Sequence, residues 1–170
     1  MKTLKLNKVC ARSQKGASLV EVLVATVVIS VGLIGLAGLQ TLSMQSNHTA
    51  YLRTQASLLA YDMVDRMRAN ILAAQSGQYV TAFNAAPSGT TNCESTSCSS
   101  GNLATYDINQ WKCNLGAWDS ISTCSTTLSV SGLLPGGDGS VTQTGTVHTV
   151  SVRWTERDGN QNTFEVSTEL

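Results

Sequence analysis

The chain has few of the residues and none of the motifs on which most enzymes depend. Histidine occurs only twice, as His48 and His148. The sequence contains no P-loop, no GxSxG nucleophile turn, no HExxH helix and no glycine-rich dinucleotide fingerprint. Most sequences allow a histidine to be grouped on paper with a serine and an aspartate, so these two carry little weight. The sequence therefore predicts a protein that is not an enzyme and that uses no cofactor.

Positive charge is scarce beyond the first sixteen residues. Five basic residues precede Gly16, with no acidic residue among them: Lys2, Lys5, Lys8, Arg12 and Lys15. The rest of the chain keeps six Lys and Arg side chains against eleven Asp and Glu side chains, although the formal net charge of the whole chain is zero. A nucleic-acid-binding domain needs a basic surface, so the sequence predicts no nucleic-acid partner.

Residues 17–39 are almost continuously apolar, and their number suits one transmembrane helix. A secretory signal has a shorter apolar core that ends near an A-x-A-like cleavage site, and no such site convincingly follows Leu39. The basic residues before this span predict that the N-terminal leader stays in the cytoplasm and that the C-terminal side is exported.

Glu21 is the one charged side chain in this span. A carboxylate inside a membrane helix is unfavourable by about 3 kcal/mol when it has no partner. Cleavage after Gly16 would create a cation at the amino group of Ala17, and the two opposite charges would attract each other at low dielectric constant. The alternative interpretation is that the helix macrodipole and the nearby lipid headgroups stabilise Glu21 at the helix N-terminus.

Closely spaced CxxC pairs, which zinc sites usually need, are absent. Cys10 lies in the leader, and four other cysteines cluster in a stretch rich in Ser, Thr and Gly: Cys93, Cys98, Cys113 and Cys124. Their position downstream of a membrane-targeting segment favours two disulfides over a metal site, with three pairings possible. Neither Gly137-Asp138-Gly139 nor Asp158-Gly159-Asn160 fits the EF-hand spacing, so both are interpreted as turns and no metal is predicted.

The order of basic leader, Gly16, Ala17, Glu21 and apolar helix resembles the processing motif of type IV prepilins. In that family a prepilin peptidase cuts after the glycine and methylates the new N-terminus, and the glutamate compensates the N-terminal charge of a neighbouring subunit. The resemblance implies that residues 1–16 are a cleaved leader, that Ala17 is methylated and that Glu21 is the assembly glutamate. Ala17 stands where major pilins usually have phenylalanine, which argues against a major pilin more than against a prepilin.

From Gln40 to Ala74 the chain contains no proline and no glycine. Apolar residues recur there at spacings of three or four: Leu52, Ala56, Leu59, Met63, Met67 and Ile71. We therefore expect residues 17–75 to form one continuous helix, apolar all round over 17–39 and amphipathic over 40–75, with Ser76-Gly77 as its stop. A coiled-coil stalk is the alternative, but the stripe lacks a sustained heptad with charges at e and g.

Residues 76–170 are predicted to form a small exported domain. Four residues on one helical face predict a second helix over 103–119: Ile108, Trp111, Leu115 and Trp118. Strands are predicted over 128–134, before a turn at 135–139, and over two alternating segments around 150–154 and 164–170 that a hairpin joins. The expected fold class is α+β, in which the long helix packs on a small antiparallel sheet with a short second helix and disulfide-bonded loops.

Three further segments narrow the resemblance: Asp107-x-x-x-Trp111, Leu134-Pro135-Gly136-Gly137-x-Gly139-x-Val141 and Val150-x-Val152-Arg153-Trp154. They look like the PilV group of minor pilins, which are called type IV pilus modification proteins. In that group a close cysteine pair often precedes the Asp-x-x-x-Trp helix. The resemblance therefore implies the disulfides Cys93–Cys98 and Cys113–Cys124.

The resemblance implies a minor pilin that acts in assembly or initiation near the tip of a type IV pilus and supports piliation, twitching motility or adhesion. Its expected partners are the prepilin peptidase, the major pilin, other minor pilins, the inner membrane and the pilus assembly platform. Its domain is expected in the periplasm and then in the extracellular pilus. A pseudopilin of a type II secretion system and an uncleaved, membrane-anchored binding module remain as alternatives.

Overall fold

The computed structural model describes residues 16–89 and 92–170, so Gly16 is described but Cys10 and the rest of the predicted leader lie outside the described residues. The helices are α1 (Leu19–Ala69), α2 (Ile71–Gln75), α3 (Ser100–Leu115) and a π-helix (Thr123–Leu128). The strands are β1 (Asp138–Thr144), β2 (Val147–Thr155) and β3 (Gln161–Glu169). The chain divides into two compact units, one ending at Gln45 and the other running from Ser46 to Leu170.

Helix α1 covers most of the predicted helix, but the prediction of one continuous helix to residue 75 is wrong. Asn70 interrupts it with φ −126° and ψ 54°, which are not helical angles. Its side-chain amide donates hydrogen bonds to the hydroxyl of Tyr79 and to the carbonyl oxygen of Ser100. These contacts to distant segments stabilise the break. The predicted stop is confirmed, since Gly77 follows α2 with φ +78°.

The core of the second unit lies between α1, α3 and the sheet. Five members of the predicted α1 stripe are buried there: Leu52, Ala56, Leu59, Met63 and Met67. Ile71, the sixth member, is 43% exposed because it follows the break at Asn70 and no longer continues the stripe. The amphipathic part of the long helix therefore buries its apolar face within this unit.

The three strands form an antiparallel sheet in the order β1-β2-β3. Val150, Val152 and Trp154 on β2 are buried, as their alternation predicts. Residues of β3 alternate between exposed and half-buried along the strand. The predicted hairpin between β2 and β3 is also confirmed, with Gly159 at φ +84° in the connection.

Helix α3 begins and ends earlier than the predicted range of 103–119. Ser99 caps its N-terminus by accepting a hydrogen bond from the backbone N–H of Asn102. Gly116 adopts φ +119° and ends the helix. Trp118 therefore lies beyond α3, where it is half-buried rather than part of the buried helical face.

The predicted strand over 128–134 is not found in the described part of the chain. The π-helix occupies Thr123–Leu128. The backbone N–H groups of Leu133 and Leu134 donate to the carbonyl oxygens of Asn114 and Leu115, respectively. These bonds satisfy carbonyl groups at the end of α3, which a helix leaves without internal partners. The first strand begins instead at Asp138, inside the predicted turn.

Candidate functional site

The predicted processing junction lies directly before α1. Gly16, Ala17 and Ser18 are exposed and non-helical, and the helix begins at Leu19. The Ser18 hydroxyl oxygen accepts a hydrogen bond from the backbone N–H of Glu21 at 3.3 Å, as an N-cap residue does. An exposed segment ahead of a helix is the kind of backbone that a protease can reach.

Glu21 lies in the first turn of α1, where the helix macrodipole favours a carboxylate. Within the described residues, no hydrogen bond or ion pair reaches its carboxylate. Ser18 is not among the residues predicted for the site, although the Ser-x-x-Glu spacing of a capping box signals its role. The local helix-end interpretation of Glu21 thus has structural support, and none of the described residues pairs with its carboxylate.

Every residue in the apolar half of α1, within the unit that ends at Gln45, is exposed. Its large apolar side chains are between 54% (Val22) and 81% (Leu19) exposed. The hydroxyls of Thr26 and Ser30 are satisfied inside the helix, by the carbonyl oxygens of Leu23 and Thr26 at 2.8 and 2.7 Å. Such internal bonds let a hydroxyl enter lipid or a helix bundle. By length and composition, α1 can cross a membrane.

Helix α3 is attached to α1 through the Asp107-x-x-x-Trp111 motif. Trp111 is fully buried, and its indole Nε1 donates to the carbonyl oxygen of Leu59 at 2.8 Å. Asp107 accepts hydrogen bonds from Arg66 at 3.0 Å and from the Tyr79 hydroxyl at 2.5 Å. A spacing of four residues puts both side chains of the motif on one face of α3, where they meet α1.

Arg66 holds this attachment together electrostatically. Its guanidinium contacts Asp62 at 2.9 Å and Asp107 at 3.0 Å. Burial by itself would lower the pKa of Arg66, but the two carboxylates raise it. Burial and the hydrogen bond to Asp107 also raise the pKa of Tyr79. The arginine and the tyrosine therefore stay protonated across the physiological range, and the network keeps its hydrogen bonds.

Two family models match adjoining parts of the chain. The prokaryotic N-terminal methylation motif matches residues 11–37, which contain Gly16, Ala17 and Glu21. The Tt1218-like family, described as type IV pilin Tt1218, matches residues 38–109, which include the buried α1 stripe and Asp107. Together the two matches cover residues 11–109 and support a type IV pilin with a prepilin-type N-terminal motif. Comparisons of this pilin with curated proteins and with solved structures find no match.

A buried ion pair joins three parts of the pilin domain. Lys112 on α3 and Asp138 on β1 are almost fully buried, and their Nζ and Oδ1 atoms lie 3.0 Å apart. Asp138 also accepts hydrogen bonds from the backbone N–H groups of Asn84 and Gly139, and Lys112 donates to the carbonyl oxygen of Ala82. Burial lowers the pKa of Lys112. Burial opposes the charged form of Asp138 too, but its hydrogen bonds lower the pKa of its carboxyl.

Arg153 extends this cluster from the neighbouring strand. One of its guanidinium nitrogens lies 3.7 Å from Asp138, and the guanidinium carbon lies 4.4 Å from the centre of the Phe83 ring. In the sequence, Gly137-Asp138-Gly139 predicts a turn and assigns Asp138 no partner, so this role of Asp138 is a finding of the structure. Lys112, Asp138 and Arg153 lie far apart in the sequence, and no local pattern predicts that they are in contact.

The pilin contains the disulfides Cys93–Cys98 and Cys113–Cys124, which are the pairs that the resemblance implies. The first closes a short loop immediately before α3. The second joins the last turn of α3 to the π-helix, and both of its sulfurs belong to fully buried residues. Within residues 16–89 and 92–170, no group of three or more His, Cys, Asp or Glu side chains is arranged to hold a metal ion.

The two histidines occupy different surroundings. His48 lies on the exposed surface of α1. His148 is fully buried, and its ring nitrogens lie 3.1 and 3.3 Å from the carbonyl oxygens of Ala74 and Thr146. Contacts with two backbone carbonyls link β2 to the end of α2. His148 thus has a structural explanation.

Proposed function

We propose that this type IV pilin is a minor pilin of the PilV-like group, acting in pilus assembly or initiation near the pilus tip. The observation that carries the proposal is the exposed apolar surface of α1 that directly follows the Gly16–Ala17 junction. A helical surface of about 20 apolar residues is unfavourable in water, so lipid or other helices must cover it. A pilin meets both environments in turn, first in the membrane and then in the filament.

Cleavage of the leader would create a positive charge with which the Glu21 carboxylate can pair. The prepilin peptidase would remove residues 1–16 and methylate the amino group of Ala17. That new cation on one subunit would pair with the Glu21 carboxylate of its neighbour as both helices enter the filament. The methylation motif over residues 11–37 supports this step, as does the Glu21 carboxylate, which pairs with none of the residues that the structure describes.

Residues 17–39 would anchor the pilin in the inner membrane, and α1 would continue beyond them to Ala69 as its amphipathic part. Residues 76–170 would form the periplasmic domain. The major pilin, other minor pilins and the assembly platform would then contact the helix and carry the subunit into the extracellular pilus. Once the leader is removed, acidic residues outnumber basic ones on the remaining chain.

Mass spectrometry of the protein extracted from membranes tests the proposal. The expected N-terminus is a methylated Ala17. An intact start at Met1 would instead favour the second candidate, an uncleaved membrane anchor for an exported binding module.

A pseudopilin of a type II secretion system shares the leader and the helix. We prefer the pilus because the segments around Trp111, Pro135 and Val152 resemble minor pilins. Deletion of the gene distinguishes the two candidates. Loss of pili and twitching supports the pilus, whereas loss of enzyme secretion with normal pili supports the pseudopilin.

A further inference from the structure

The two edges of the sheet differ in how they are covered within the described part of the chain. At the β1 edge, Thr81 and Val141 exchange two backbone hydrogen bonds, of 3.0 and 2.8 Å, and form an isolated bridge. β3 lies at the other edge, and none of the described residues pairs with the side of it that faces away from β2. The N–H and C=O groups along an uncovered edge can pair with another strand.

The strand register identifies which residues of β3 present their backbone to this open edge. Two bonds flank the β2–β3 pairing: the N–H of Leu170 donates to the carbonyl oxygen of Thr146, and the N–H of Glu156 donates to that of Asn160. Hydrogen-bonded pairs alternate along an antiparallel ladder, so the even-numbered residues of β3 bond to β2. The odd-numbered residues therefore direct their N–H and C=O groups outward: Gln161, Thr163, Glu165, Ser167 and Glu169.

The apolar core is less completely covered at β3 than on the other two strands. Val141 on β1 is fully buried, and so is Val152 on β2, which pairs with Phe164. Phe164 and Val166 lie on the same inner face of β3 but are only half-buried. Tyr61 on α1, whose ring centre lies 6.5 Å from that of Phe164, is 51% exposed. The strand with the unpaired backbone thus also carries apolar side chains that a further strand could cover.

The outer face of β3 is acidic. Glu165 and Glu169 are exposed there, and each accepts one hydrogen bond from a hydroxyl, of Ser151 at 2.9 Å and of Thr146 at 3.0 Å. Neither carboxylate forms an ion pair with a described residue. Full antiparallel overlap of two β3 strands would place Glu165 opposite Glu165 of the second copy, which is unfavourable. The charge of this edge therefore favours a basic strand over a second copy of the chain.

We propose that the open edge of β3 binds an extended segment of a partner protein that alternates apolar and basic residues, which adds a fourth strand to the sheet. Its backbone bonds to the outward groups of Thr163, Glu165 and Ser167. Its apolar side chains cover Phe164 and Val166 on the inner face, and its basic side chains lie beside the glutamates on the outer face. Backbone pairing supplies affinity, and the alternate side chains supply specificity. This binding requires neither cleavage nor filament assembly, so its test is independent of the proposed function.

Amide hydrogen exchange tests the proposal, followed by nuclear magnetic resonance of the ¹⁵N-labelled full chain in micelles of a zwitterionic detergent. The probe is the peptide Thr-Val-Lys-Val-Thr-Val-Lys-Val-Thr, whose two lysines have the same spacing as Glu165 and Glu169. We expect this lysine peptide to slow exchange saturably at Thr163, Glu165 and Ser167, whose N–H groups point outward. A matched peptide with Glu in place of both Lys should bind roughly tenfold more weakly, because like charges then lie across the strands.

Two variants of one residue separate backbone pairing from side-chain effects. Ser167→Pro removes an outward N–H but no bond to β2, so it should weaken binding of the lysine peptide by roughly tenfold. Ser167→Ala loses the same hydroxyl contact with Thr149 but keeps the N–H, and it should bind the peptide as the unmodified pilin does.

The proposal is overturned if the lysine peptide leaves exchange at the three outward amides unchanged, if the two peptides bind alike, or if the two variants bind alike. Protection of these amides that rises with pilin concentration in the absence of peptide would also overturn it, because β3 would then pair with a second copy.

Discussion

The indole nitrogen of Trp111 donates a hydrogen bond to the backbone carbonyl oxygen of Leu59 across 2.8 Å, in the fully buried interface between α3 and α1. The same ring fills the space that Gly139 leaves open, because a Cβ on that glycine would lie 2.2 Å from the ring. One tryptophan therefore contacts the long helix on one side and the first strand on the other. Trp111 and Gly139, which belong to two of the segments that resemble minor pilins, therefore pack against each other.

Trp111→Phe should destabilise the domain by about 1–2 kcal/mol, because the shorter ring keeps much of the packing but leaves the Leu59 carbonyl without this donor. Trp111→Ala should cost about 3–5 kcal/mol through the cavity that it creates. Denaturant unfolding of the full chain in detergent, followed by circular dichroism, measures both values. Equal stability of Trp111→Phe and the unmodified pilin would show that the hydrogen bond contributes nothing.

Local patterns in the sequence predict much of this fold. The three-to-four spacing of apolar residues predicts the buried stripe of α1, and alternation predicts β2 and β3, because each pattern is complete within one element. The break at Asn70 depends on Ser100, and the missing strand before Leu134 depends on the end of α3 at Leu115. These two features require contacts between distant segments, which periodicity does not encode.

The candidate site residues also differ in whether the sequence alone can predict them. Gly16, Ala17 and Glu21 lie close together in one motif, so the sequence is sufficient to identify them as candidates. The ion pair of Lys112 and Asp138 is assembled from two elements, with backbone groups of a third segment. Both residues lie within or beside the segments that resemble minor pilins, but no spacing in the sequence indicates that they pair, so only the fold brings them together.

Asp138→Asn should destabilise the domain by about 3–5 kcal/mol, because it removes the partner of a buried lysine ammonium. Lys112→Met with Asp138→Asn should recover part of that loss, since no buried charge then remains unpaired. Denaturant unfolding at neutral pH measures the three proteins. A double variant that is less stable than the single variant would contradict this account.

The same ion pair predicts how the stability of the folded domain depends on pH. Because the pKa of Asp138 is lower in the folded chain than its ordinary value of 3.8, folding favours the charged carboxylate. Its contribution is therefore fully present above about pH 4 and is lost as the pH falls through the lower, folded-state pKa. Unfolding measured between neutral and strongly acidic pH should show this loss. The loss should be smaller in Asp138→Asn, which has no carboxyl to titrate there.

The two disulfides should differ in their contribution to stability. Cys113 and Cys124 are fully buried and lie eleven residues apart, whereas Cys93 and Cys98 are half-buried and lie five apart. Replacing the first pair by alanine should cost about 3 kcal/mol, and replacing the second about 2 kcal/mol, by the entropy of loop closure alone. Thermal unfolding measures the ranking. Peptide mapping without reduction checks the pairing, and a peptide joining Cys98 to Cys113 would contradict it.

Gly16→Val should block processing, because a branched side chain replaces the hydrogen of the residue before the scissile bond. The precursor should then accumulate in the membrane as a heavier band on an immunoblot. Gly32→Val is a matched control, since an added Cβ there meets nothing within 4 Å and the residue lies away from the junction. Normal maturation of Gly16→Val would argue against cleavage at this position.

Glu21→Gln should leave cleavage intact but sharply reduce incorporation into pili, because an amide cannot neutralise the ammonium of a neighbouring Ala17. Ser18→Ala tests the alternative role of Glu21, which is to stabilise the end of the helix. That change removes the hydroxyl that caps the backbone N–H of Glu21 and weakens the first turn by about 1 kcal/mol, but it retains the carboxylate. Immunoblots of sheared pili and of membranes measure both variants. If Ser18→Ala lowers incorporation as much as Glu21→Gln does, capping of the helix accounts for the effect and the charge pair does not.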